Sequence, residues 1–147
     1  MKTQNLKLIA NSEDDLRVIS AHLQDSIVSP LDVASLKKNR ILLIQLNRFM
    51  WEDVEKGVFR KNKRIRTVLK FDNVTSVSSK NISQKNNKRF LDFLAIESNE
   101  MPDKSYEIDL IFSGDSILKI KTEVIEVTLD DQGSPWNSKA KPKHKFL

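Results

Sequence analysis

Apolar residues return along this chain with two periods, and the change between them divides it. Residues 6 to 10, LKLIA, predict a short opening strand, and the NSEDD that follows supplies the chemistry of a helix start. Ser12 is placed to cap the helix, with Asp15 three residues on and Glu13 and Asp14 in the first turn, where carboxylates favour the helix dipole. Leu16, Ile19 and Leu23 then recur at helical spacing and predict one narrow apolar face, ending near Ser26 ahead of Pro30.

Beyond Pro30 the period becomes two. Residues 33 to 37 and 40 to 46 predict a hairpin around Lys38 and Asn39, and ILLIQL, apolar on both faces, predicts a central strand. Ile65, Thr67, Leu69 and Phe71 alternate with Arg64, Arg66 and Lys70, a half-buried strand with a basic outer face. VTSVSS and FLDFLAIE are further strands, separated by the polar loop KNISQKNNKR. Tyr106, Ile108, Leu110 and Phe112 alternate up to a turn at Gly114 and Asp115, from which ILKIKT returns.

Residues 123 to 131, EVIEVTLDD, carry conflicting signals. Their β-branched content favours a strand, but Gly133 followed by Pro135 has the form of a helix stop, and a short C-terminal helix is the expectation. The element order, without βαβ alternation or repeats, predicts an α+β fold. Its frame is a bent, mostly antiparallel sheet or partly open barrel, with an N-terminal helix and a short C-terminal helix. A pleckstrin-homology-like roll is the nearest analogy. A single domain is expected over 1–136, with 137–147 as a flexible basic tail.

A chain of 147 residues can bury a core without metals or crosslinks, and this one has no cysteine, which excludes disulfides, thiol nucleophiles and thiolate metal sites. The N-terminal apolar patch is too short for a secretory signal or a spanning helix, and a cytoplasmic protein without membrane contact is expected. The net charge of +5 conceals a segregation. Fifteen of the 25 basic residues fall in 56–70, 80–89 and 139–145, windows without a carboxylate, so the rest of the chain is strongly acidic.

These basic windows are the chief candidate for a binding surface. Arg60, Lys61, Lys63, Arg64 and Arg66, with Lys85, Lys88 and Arg89, would neutralise phosphates of a nucleic acid if a hairpin at Phe71–Val74 brought their loops to one end of the sheet. The plainer reading is solvated charge, and the acidic body would repel a polyanion. Elsewhere the chemistry is thin. Gly57, Gly114 and Gly133 stand alone and form no phosphate loop. His22 lies about 20° round a helix from Asp15, a conceivable base and its orienting carboxylate, but no nucleophile accompanies them. Glu52, Asp53 and Glu55 lack the spacing and mid-loop glycine of a calcium loop, so no metal and no cofactor is expected. Phe49, Trp51 and Trp136 read as core aromatics, with Trp51 beside Arg48 forming a stacking platform only if exposed.

Several strings taken together, LKLIANSEDDLRVISAHLQDSIV, QLNRFMWE, FDNV, FLAI and IEVTLDDQGSPW, resemble a family of small proteins, mainly alphaproteobacterial, described only as a domain of unknown function. The resemblance runs from Leu6 to about Trp136 and brings no established functional residue. The gene context it implies points to a partner among metabolic enzymes. On the residues themselves, the leading expectation is a non-catalytic cytoplasmic binding or adaptor domain with a protein partner. The alternatives are non-specific nucleic-acid binding through loops 60–66 and 80–89, and an enzyme using His22 with Asp15.

Overall fold

The computed structural model describes residues 5–51, 63–82 and 90–137. Its frame is one continuous antiparallel sheet of ten strands, bent so that its two halves enclose a common core. The first half carries β1 (Lys7–Ala10), β10 (Val127–Asn137), β5 (Lys63–Phe71) and β4 (Ile41–Phe49) in that order, with β3 (Val33–Leu36) on the far side of β4. The second half carries β7 (Leu91–Glu100), β8 (Tyr106–Phe112), β9 (Ser116–Thr122) and β6 (Val74–Lys80). Two-residue β2 (Ile27–Val28) joins the halves, since Ile27 pairs with Asn47 of β4 and with Asp92 of β7. The sheet does not close into a barrel.

The helix forms where the capping chemistry places it. In α1 (Glu13–Leu23) the Ser12 hydroxyl accepts from the Asp15 backbone N–H at 3.1 Å, and the Asp15 carboxylate takes the Asn11 N–H in return at 3.0 Å. Leu16, Ile19 and Leu23 are buried, and burial of each contributes about 1.5–3 kcal/mol. This apolar stripe sets α1 against β7, β1 and β4. On the polar flank Ser20 accepts from the backbone N–H of Ile96, so the helix also satisfies part of the β7 edge that β2 is too short to pair.

The hairpin expected around Lys38 and Asn39 is present as β3 and β4, with Arg40 supplying the left-handed residue at φ 59°. The turn at Gly114 and Asp115 likewise joins β8 to β9. Two expectations fail. Residues 71–74 do not turn a hairpin, because β5 pairs with β4 and β10 whereas β6 pairs with β9 in the other half. Asn73 is left-handed at φ 57°, but the backbone N–H of Val74 goes to Arg40 and that of Asp72 to Glu126, which turns the chain out of one half-sheet into the other.

The second correction concerns the C-terminal helix. Residues 127–137 are a strand, β10, flanked on both edges by β1 and β5. Val127, Leu129 and Asp131 face inward at period two. Gly133, at φ 70°, ends no helix: it lies in a bulge where the pairing with β5 shifts between Gln132 and Trp136. The helix that would close a pleckstrin-homology-like roll is therefore not formed by 123–131.

Candidate binding cleft

Bending a sheet whose halves are joined at one short strand leaves edges without partners. Among the described residues β3 pairs only with β4, and β6 only with β9. A cleft of about 600 Å³ lies between these two strands. All six consecutive residues Val74–Ser79 line it, and since successive side chains of a strand point to opposite faces, the border is the edge of β6 and not one of its faces. Each edge presents backbone N–H and C=O groups without a strand partner.

The walls are polar and the floor is not. Ser35 on one side and Ser76, Ser78 and Ser79 on the other supply hydroxyls, above the buried side chains of Leu42 and Leu118, whereas the Thr75 hydroxyl donates to the Lys121 carbonyl of β9. Val74 and Arg40 meet at one end through a backbone hydrogen bond of 2.9 Å. At the other end a niche of about 60 Å³ opens toward the core, lined by Val28, Val33, Ile82, Leu91, Phe112 and Leu118. Among the described residues the charged ones on the cleft lining are Lys37 and Arg40, of which Arg40 is paired with Glu123. With no carboxylate and no imidazole among the described residues that line it, the cleft offers there hydrogen bonding and apolar contact.

The residues singled out from the sequence lie elsewhere. Arg60, Lys61, Lys85, Lys88 and Arg89 fall outside the described residues, as do Glu52, Asp53, Glu55 and Gly57. Of the other three basic residues, Arg66 is exposed and Lys63 half-buried. Arg64 turns to the protein: its Nη1 donates to the carbonyls of Asp25 and Asn47, both at 3.1 Å, and its guanidinium lies 5.8 Å from the centre of the Phe49 ring. Burial pushes its pKa down, against the raising influence of Asp25 and Asp92. Phe49 meets Trp51 edge to face at 4.6 Å, and Trp51 Nε1 donates to the Gln24 carbonyl at the helix C-terminus, so these aromatics hold the end of α1.

Arg48 corrects the stacking-platform reading, because its side chain has no solvent exposure. Its Nε and Nη2 donate to the two carboxylate oxygens of Asp131 at 2.8 and 2.7 Å, a bidentate pair inside the fold. Asp131 Oδ2 also accepts from the Leu6 backbone N–H, which ties the chain ahead of β1 to the same carboxylate. His22 is half-buried on α1, and Asp15, two turns away, is committed to the helix cap. Among the described residues no three His, Asp or Glu side chains converge as metal ligands would, and no helix is long and apolar enough to cross a membrane.

Fold and cleft together define an open antiparallel roll with one helix and a slot between two strand edges. The chain belongs to the family described as Protein of unknown function (DUF2948), which matches residues 6–144. No curated protein and no solved structure matches it.

Proposed function

We propose that this chain is a binding domain that takes up an extended polypeptide segment between β3 and β6. One observation carries the reading: two strand edges without strand partners among the described residues border the same cleft. An added strand satisfies N–H and C=O groups on both sides at once, which is the physics of strand addition at a sheet edge. Hydroxyls along both walls suit a backbone ligand, since they donate and accept without imposing a charge. The described lining holds hydroxyls and apolar side chains without an acid–base pair, which favours binding over catalysis at this place.

The test is selection of short random peptides displayed on a surface against the full chain, followed by titration of an enriched peptide into isotope-labelled protein. Amide shifts and slowed hydrogen exchange are expected at Val33–Leu36 and Val74–Lys80. Enriched peptides that perturb another surface, or no enrichment at all, would overturn the proposal.

A further inference from the structure

The cleft is asymmetric along its length, and the asymmetry prescribes what it takes. At the Val33 end lies the apolar niche, which shares Val33, Ser79 and Leu118 with the cleft. At the other end stands Lys37, whose charge has no ion-pair partner among the described residues, whereas the neighbouring Arg40 is occupied by Glu123. Val33 opens β3 and Lys37 follows its last residue at the start of a 3-10 turn (Lys37–Asn39), so the two features lie at most about 14 Å apart. Val33 and Ser35 share a face of β3, and a strand lying alongside runs from the niche at one end to the Lys37 turn at the other.

The direction follows from the two borders. β6 starts beside Arg40 and runs toward the niche, whereas β3 runs from the niche toward Lys37, so the edges are antiparallel to each other. An inserted strand must be parallel to one of them. Antiparallel pairing is the more stable per residue, and β6 offers seven residues against four in β3. The favoured strand is therefore antiparallel to β6 and enters with its N-terminal end at the niche.

Resting on the strand-addition reading, we infer that the cleft selects an extended acidic segment with an aliphatic residue in the niche and, toward its C-terminal end, a carboxylate beside Lys37. The aliphatic side chain gains burial against Leu91, Phe112 and Leu118, and the carboxylate gains a cation in a cleft with no competing anion among the described lining residues.

The experiment titrates four acetylated, amidated peptides into the labelled full chain. The parent is Thr-Leu-Thr-Val-Thr-Glu-Thr. One variant has serine for leucine, one has lysine for glutamate, and one has the parent order reversed. The parent is expected to bind with shifts along β3 and β6, and each variant to bind about tenfold more weakly, near 1.4 kcal/mol. Lys37→Glu is exposed and lies in a turn, so the fold is kept, and it should reverse the preference between the glutamate and lysine peptides. Equal binding of all four peptides at β3 and β6, or no reversal with K37E, overturns the sequence preference and leaves strand addition standing. Absence of shifts on β3 and β6 with every peptide overturns both.

Discussion

Arg48 on β4 and Asp131 on β10 stand 83 positions apart in the chain and exchange two hydrogen bonds with no solvent at either side chain. The pair lies at one end of the inward face of the first half-sheet, in line with Leu46 on β4 and Leu129 on β10. Removing one partner strands the other charge in the interior, which costs about 3–5 kcal/mol. Arg48→Ala and Asp131→Ala should each lower stability by about that amount in urea unfolding. The double variant Arg48→Met with Asp131→Leu should cost less than either, because no buried charge is left. The Leu6 N–H loses its acceptor and keeps the double variant below the wild type.

Gly133 and Ser12 should report on local structure alone. A Cβ added at Gly133 meets nothing within 4 Å, so Gly133→Ala tests only the left-handed backbone at φ 70° and should cost about 1 kcal/mol. Ser12→Ala removes the acceptor for the Asp15 N–H and should cost about 1 kcal/mol, read by the same unfolding curves. Neither change touches the cleft, and peptide binding should survive both.

Trp51→Phe separates two roles of one side chain. The edge contact with Phe49 is kept, but the donor to the Gln24 carbonyl is lost. The expected loss is about 1 kcal/mol of stability, with faster hydrogen exchange confined to the last turn of α1.

Asp109 on β8 gives a pH dependence with a defined sign. Its Oδ1 is buried without a hydrogen-bond partner, and burial raises its pKa above the ordinary 3.8 despite the pull of Lys119. Folding thus favours the protonated carboxyl, so its ionised form opposes the fold at neutral pH. The opposition is relieved as pH falls through the raised folded value toward 3.8. Asp109→Asn should therefore raise the melting temperature at neutral pH, with the gain shrinking to nothing below the ordinary carboxylate range. Thermal unfolding at several pH values checks both the direction and its disappearance.

Local signals made much of this fold legible in the sequence. Ser12 and Asp15 locate the helix start, a continuous apolar run locates β4, and alternation with the turn at Gly114 and Asp115 locates β5, β8 and β9, because each of those features is decided by neighbours in the chain. Residues 123–131 were misread since Gly133 and Pro135 terminate helices in most settings, whereas here they occupy a bulge of a strand paired on both sides. The Asp72–Asn73 pair resembles a hairpin turn, but a tight two-residue hairpin of the favoured twist wants positive φ at both centres, and only Asn73 has it. The burial of Arg48 has no signal within NRFMW, because its counter-ion Asp131 is on β10. The cleft had no local signature at all: it is the space between edges that only the strand order defines.

β10 lies between β1 and β5, so among the described strands β1 has no sheet neighbour until β10 is made. On the ribosome, the N-terminal residues through β9 would emerge with an unfilled position in the first half-sheet and with Arg48 lacking its carboxylate. Such a topology assigns the closing step to a moment after synthesis of residues 127–137, when Asp131 brings charge neutralisation and strand insertion together. The growing chain consequently holds an open lattice position of its own until residues 127–137 are available, and their arrival sets the clock for folding.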